Sequence, residues 1–269
     1  MGTISNYLEN KWLDHILKTA AYTREATLYI GYSQADPTDD ASGVTEPSPA
    51  NGYARQALTD ANWTAAASRA TNYNAQISFP QATGSQGTIT HWFICTHLSN
   101  TNFGTDVELI AHGSLSTQKS IVSGNTPTIA AGEVEVSINS GGMSNYLAHE
   151  MLDHTFLDSS FAQPTNIYAG LSTANPGDDF SGLAEPGGSN YARVQHNSWD
   201  AAAGGASENT GTIQFPTPSG SWGLIAYGAL FDASSGGNGL LYATATPNQT
   251  PSNGDDVEYP DGTWDVTLD

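Results

Sequence analysis

The sequence predicts a mainly β protein built as two tandem antiparallel β-sandwich domains, jelly-roll-like, each opened by a short α-helix. Three observations carry that expectation. The chain begins again partway along: Ser5-Asn6-Tyr7-Leu8 returns as Ser144-Asn145-Tyr146-Leu147, just after the pair Gly141-Gly142. Short runs of β-branched and aromatic residues alternate with Gly, Asn, Asp and Pro turns, the signature of sandwiches and barrels. And 28 glycines with 13 prolines, in a chain that is 38% apolar, suit a turn-rich β fold better than a helical one.

The repeat extends through both halves. Leu13-Asp14-His15 returns as Leu152-Asp153-His154, Tyr53-Ala54-Arg55 as Tyr191-Ala192-Arg193, and Phe79-Pro80 as Phe215-Pro216. Trp63 and Trp199 each precede three alanines. Gly132 to Asn139 closes the first copy and Gly262 to Asp269 the second. Solenoid repeats run at roughly 20–50 residues, so a period this long marks a duplicated domain. The expected domains are residues 1–140 and 141–269, each long enough to bury its own core.

Each copy should open with a helix. Leu13, Ile16, Leu17 and Ala20 share one helical face, with Asn6 and Glu9 placed as a capping box. Leu147, Met151 and Phe156 form the corresponding stripe in the second copy. These faces are expected to pack on the sheet of their own domain, with docking on a neighbour as the second reading. Strands follow at 27–33, 53–58, 75–79, 88–97, 107–113 and 133–138. The second copy offers 166–172, 191–196, 211–215, 222–231, 240–245 and 263–268. Ser99–Asp106 and Asp232–Gly239 read as hairpin loops.

Charge narrows the function classes. The net charge is −20, and Arg193 is the sole Lys or Arg of the second copy. Such a surface repels phosphate, which excludes nucleic-acid binding through a basic stripe. No stretch approaches the roughly 18 apolar residues of a membrane span. The N-terminus lacks a basic start and apolar core, so no secretory signal is expected. Cys95 is the single cysteine, so no intrachain disulfide forms, and a reducing cytosol is the expected site of synthesis.

Several residue groups are candidate sites. Asp36, Asp39 and Asp40, with Asp178 and Asp179 in the second copy, supply the oxygen ligands that calcium wants. The same loops are good turn chemistry and lack EF-hand spacing. No other cofactor is expected. Gly31-Tyr32-Ser33 and Gly170-Leu171-Ser172 resemble a nucleophile elbow, but a proline-bearing acidic loop follows where a helix is needed, leaving strand-end serines. Asp14-His15 and Asp153-His154 are helix neighbours about 100° apart, expected on a solvated face. His149 and His154 are one residue too far apart for the zinc spacing.

Arg55 and Arg193 are the most informative charges. Each forked guanidinium suits a bidentate carboxylate, either on a partner or within the domain at Glu46 or Glu185. Tyr53, Tyr191, Trp63 and Trp199 suit either a partner-binding or sugar-binding platform or aromatic core packing.

Taken together, the Ser-Asn-Tyr-Leu start, the strand Ala26 to Gly31, the acidic loop, Tyr-Ala-Arg and Phe-Pro form one pattern. With Ser221-Trp222-Gly223, Leu230 to Ala233, Gly236-Gly237-Asn238 and the closing Gly-x-x-x-Val-x-Leu, it resembles small tailed-phage structural proteins labelled as head-decoration or tail-fibre proteins. The first copy departs at Gln86, at Cys95-Thr96-His97 and in its longer 100–106 loop, so its outer hairpin is expected to meet something different.

The resemblance implies a non-enzymatic virion protein. The expectation is a capsid decoration (cement) protein on the outer capsid surface, bridging major capsid protein subunits and other virion proteins, with self-association on the virion open. Two copies on a short linker raise the effective concentration of the second contact. A tail or fibre component is the alternative, although heptads and collagen-like periods are missing. A virion-attached carbohydrate-binding module is the alternative from another class.

Overall fold

A computed structural model describes residues 2–138 and 142–268. The boundary expected at 140/141, the linker between the copies, and the last residue of each closing run (139 and 269) lie outside the described residues. The chain divides into two compact units. Unit 1 gathers Met1–Glu9, Thr23–Asn139 and Met151–Ser160; unit 2 gathers Asn10–Tyr22, Ser140–Glu150 and Phe161–Asp269. The architecture is mainly β with two helices, as the composition predicts.

The first half runs β1 (Gly2–Ile4), α1 (Asn6–Ile16), β2 (Tyr29–Ser33), β3 (Gln56–Ala57), β4 (Ala70–Asn72), β5 (Ile77–Ser78), β6 (Gly87–Cys95), β7 (Leu109–Ile121), β8 (Thr128–Ile129) and β9 (Glu135–Ser137). In unit 1 seven of these strands form one sheet, ordered β3-β2-β6-β7-β1-β9-β4, curled into a half-barrel. β5 and β8 pair separately. Trp92, Phe93, Ile94 and Cys95 on β6 are all at most 1% exposed, so the sheet is covered on both faces there.

The second half runs α2 (Asn145–Phe156), β10 (Tyr168–Ser172), β11 (Val194–Gln195), β12 (Ala206–Glu208), β13 (Ile213–Gln214), β14 (Ile225–Phe231), β15 (Gly239–Gln249), β16 (Glu258–Tyr259) and β17 (Asp265–Thr267). Unit 2 repeats the pairings of unit 1: β11-β10-β14-β15 in one sheet, β12 with β17, and β13 with β16. The ladders coincide residue for residue. Tyr29 faces Cys95 as Tyr168 faces Phe231, and Ile77 faces Ile129 as Ile213 faces Tyr259.

The helix caps sit one residue earlier than the sequence suggests. Ser5 Oγ accepts from Leu8 N at 3.3 Å, and Ser144 Oγ from Leu147 N at 3.0 Å. Serine reaches the third helical N–H as well as asparagine does, and here both copies use it. Leu13, Ile16, Leu17, Leu147, Met151 and Phe156 are fully covered as expected, but Ala20 is a correction: α1 ends at Ile16, and Ala20 lies beyond it, exposed.

What covers them differs from the expectation of packing within one copy. Phe156 lies in unit 1, with its ring 4.7 Å from that of Trp63. Asp153 Oδ1 accepts from Ala66 N at 2.7 Å in the same unit. In unit 2, Asp14 Oδ1 accepts from Ala202 N at 2.9 Å and Asn10 Oδ1 from Gly205 N at 2.9 Å. The solvated face expected for the Asp-His pairs is therefore a correction. Both aspartates cap the backbone after a tryptophan, and His15 is 3% exposed, its Nδ1 accepting from Tyr22 N.

Two cores solve one packing problem differently. Trp92 on β6 faces Gly113, and the equivalent pair in unit 2 is Gly228 and Ala243. Trp264 fills the space left by Gly228, whose added Cβ would lie 3.0 Å from that ring. Its counterpart in unit 1 is Val134.

Candidate functional site

The most polar structure in each unit is built around the arginine of Tyr-Ala-Arg. β2 leads into the acidic loop, which returns at Glu46, and the chain then passes Tyr53 and Arg55 before β3. Arg55 Nε donates to Glu46 Oε1 at 2.9 Å and Nη2 to Glu46 Oε2 at 2.6 Å, a bidentate pair. Its remaining nitrogen, Nη1, donates to the His97 carbonyl at 2.6 Å. Tyr53 adds its hydroxyl to Glu46. Phe93 and Phe103 place rings 5.4 and 5.1 Å from the guanidinium carbon.

Unit 2 repeats this geometry. Arg193 Nε and Nη2 each donate to Glu185 at 2.8 Å, and Tyr191 donates to the same carboxylate at 2.9 Å. Nη1 reaches the carbonyls of Ala233 and Gly236 at 3.0 and 2.7 Å. Phe231 lies 3.4 Å beneath the guanidinium. In both units the fork holds the end of the acidic loop, and the third nitrogen holds the loop of the β6–β7 or β14–β15 hairpin. The arginine is a pin between two loops.

Burial gives these networks their electrostatic character. It pushes the Tyr53 hydroxyl well above its ordinary range, the Glu46 carboxylate adding to the effect. It raises Tyr191 in the same way. Burial also lifts the Cys95 thiol to about 11, against the opposing pull of Arg55. A thiol held protonated is a poor nucleophile and a poor metal ligand.

The acidic loops hold themselves together through hydrogen bonds. Asp36 Oδ1 accepts from Thr38 N at 3.1 Å, and Asp40 Oδ1 from Ser42 N at 3.0 Å. The Thr38 hydroxyl and Ser42 hold the Asp40 carboxyl down at about 2. Asp179 accepts from Ser181 N at 3.0 Å in the same manner. Asp39 turns the other way, to His112 Nε2 at 2.9 Å, and Asp178 to the Tyr242 hydroxyl at 2.6 Å. Of the carboxylates expected to bind calcium, Asp36 and Asp39 thus both approach His112, at 3.5 and 2.9 Å, whereas Asp40 is held by Thr38 and Ser42. Among the described residues, no group of three or more His, Cys, Asp or Glu is arranged to hold a metal ion.

The remaining candidates lie inside. Trp63 is 4% and Trp199 6% exposed. Trp63 packs on Tyr73 and Phe156, and Trp199 on His196, to whose carbonyl it donates at 3.3 Å. Ser33 and Ser172 are strand-end serines that hold the loop beyond them, accepting from Thr45 N and Ala184 N. Sequence reasoning missed the third arm of each arginine, because a carbonyl acceptor leaves no mark on residue type.

The two units repeat one β fold, each with an arginine network that holds its hairpin loop in place. The family model of the podophage GP4 fiber I protein gp80 matches residues 3–137 and again residues 142–267. The chain belongs to that family, and it is a phage structural protein, in tandem form as its sequence resemblance implies. No curated protein matches it.

Proposed function

We propose that the chain is a passive, non-enzymatic component of a podophage fibre, held in the virion by contacts with other virion proteins. The observation that carries this is the match of both copies, over nearly their full lengths, to a family whose name describes a fibre protein. An acidic surface and a duplicated domain suit a fibre as well as a capsid surface. Two copies still add their contacts through effective concentration, and a −20 surface still favours partners of opposite charge.

In this reading Arg55, Tyr53, Arg193 and Tyr191 serve partner binding indirectly, by fixing the hairpin tips that a partner would meet. Leu98, 48% exposed beside the His97 carbonyl, belongs to such a hairpin loop. Trp63 and Trp199 support the units from within. Labelled antibody against the chain, viewed on intact virions, is the test. Label on fibres is expected; label spread over the capsid would replace this reading with the decoration protein bound to major capsid subunits.

A further inference from the structure

Two histidines of unit 2 are held in the neutral form by their surroundings. Tyr22 N donates to His15 Nδ1 at 3.1 Å, and His15 is buried with its ring 5.7 Å from that of Phe161. A ring nitrogen that accepts from a backbone N–H carries no proton. His196 packs its ring 5.6 Å from that of Trp199, and its Nε2 is buried with no hydrogen-bond partner among the described residues. A proton added there would place a charge where nothing receives it. Burial accordingly holds His196 below the ordinary imidazole range, with only the Ser198 backbone opposing.

Both rings sit where unit 2 grips residues 10–22. His15 lies on that segment and fixes its end at Tyr22. His196 lies on the receiving side, where its carbonyl accepts from Trp199 Nε1 at 3.3 Å. The backbone just beyond Trp199 holds the segment, through Ala202 N on Asp14 and Gly205 N on Asn10.

Unit 1 grips residues 151–160 from the equivalent places without that requirement. Leu58 stands where unit 2 has His196: Leu58 N donates to the Leu28 carbonyl as His196 N does to that of Ile167. His154 is the counterpart of His15, yet its Nδ1 meets the Ser159 carbonyl at 2.9 Å. A carbonyl only accepts, so this nitrogen donates, and a second proton on the ring leaves the bond in place.

We propose that unit 2 carries an acid-sensitive clasp: protons taken up by His15 and His196 release residues 10–22, while unit 1 keeps its hold on residues 151–160. No charged side chain acts on His196. Beside His15 the segment itself carries Asp14 and Lys18, bound to Ala202 N and to the Thr165 carbonyl, and α2 brings Glu150, which acts on Tyr146. The grip is complete above the ordinary imidazole range, about 6.5, and is lost as pH falls through that range to the lowered value of His196. The clasp is independent of where in the virion the chain sits.

Amide exchange of the full chain, expressed as protection so that the intrinsic effect of pH cancels, reads both grips at once. Between about pH 7.5 and about pH 5, protection at Tyr22 and across residues 10–16 should fall at least about tenfold, the equivalent of one pKa unit. Protection across residues 151–156 should change less than about twofold over the same range. His196→Leu installs the residue that unit 1 already uses, and His15→Asn keeps an acceptor that takes up no proton. The chain with both substitutions should hold residues 10–22 equally well at either pH. Three results overturn the clasp: unchanged protection of 10–22 on acidification, an equal loss in both segments, or a wild-type acid response in the doubly substituted chain. Should that chain not fold, the contrast between the two segments of the unsubstituted protein decides alone.

Discussion

The two arginine pins carry out the same task under different degrees of enclosure. Arg55 and Glu46 side chains are 2% and 11% exposed, whereas Arg193 and Glu185 are 6% and 27% exposed. In unit 1 the guanidinium stands between two phenylalanines and beside a buried thiol; in unit 2 a single phenylalanine lies under it. Removing one partner of a buried pair costs more than the pair's net worth, because a desolvated charge is left behind. The copies share a motif, yet the same substitution should harm the first more than the second.

The largest effect should come from denying a unit the helix segment it contains. A chain of residues 1–138 lacks Phe156 against Trp63, Asp153 on Ala66 N, and Asp158, which pairs with Arg24 at 2.8 Å. Loss of a buried Phe alone costs about 3–5 kcal/mol, against a typical total of about 5–15 kcal/mol. Residues 1–138 should show no cooperative thermal transition, and residues 1–160 should regain one, read by near-ultraviolet circular dichroism of the tryptophans. A cooperative transition in 1–138 would show that copy one folds without that segment.

Next in size are the pins themselves. Arg55→Ala should destabilise by about 3–5 kcal/mol, since Glu46 is left buried and unpaired. Arg193→Ala should cost about half as much, as Glu185 is better hydrated. Urea unfolding of the two variants measures the ratio, and equal losses would remove enclosure as the cause.

A smaller contrast lies in the tryptophan exchange. Gly113→Ala puts a Cβ 2.6 Å from the Trp92 ring and 2.9 Å from Gly2 Cα, so about 1–3 kcal/mol of overpacking is expected. Gly228→Ala meets only Trp264, at 3.0 Å, and should cost less than about 1 kcal/mol. The melting temperatures of the two variants rank them. Smallest of all is the response to chelation. The acidic carboxylates are held by Thr38, Ser42 and Ser181, so EDTA should leave the melting temperature within about 1 °C.

The repeat, the strand order in time and the carboxylate partners of both arginines were legible because each leaves a local mark. The arginine of Tyr-Ala-Arg follows a Glu by nine residues in the first copy and eight in the second, a short-range relation in which the fork restricts the choices. Other features are long-range or chemically silent. β4 and β12 were not expected, because Ala-Thr-Asn and Ala-Ser-Glu carry no apolar alternation. β7 was expected to stop at Gly113, since Ser114 to Ser120 reads as a polar loop; its far half is held by Ile121 facing Gly87. The replacement of Trp92 by Trp264 becomes readable only once the ladders are in register. Amphipathic spacing declares that Leu17 and Phe156 are buried without declaring where.

That last gap has a consequence for how the protein is made. The first 138 residues leave the ribosome while Trp63 and its surrounding slot still await Phe156. At about 5–20 residues per second, roughly one to four seconds separate the emergence of residue 138 from that of Phe156. During the interval the nascent chain displays an unfilled apolar cleft, which is the state that chaperones bind. The order of synthesis thus sets a waiting time that neither copy, produced as a free-standing fragment, can bring to an end.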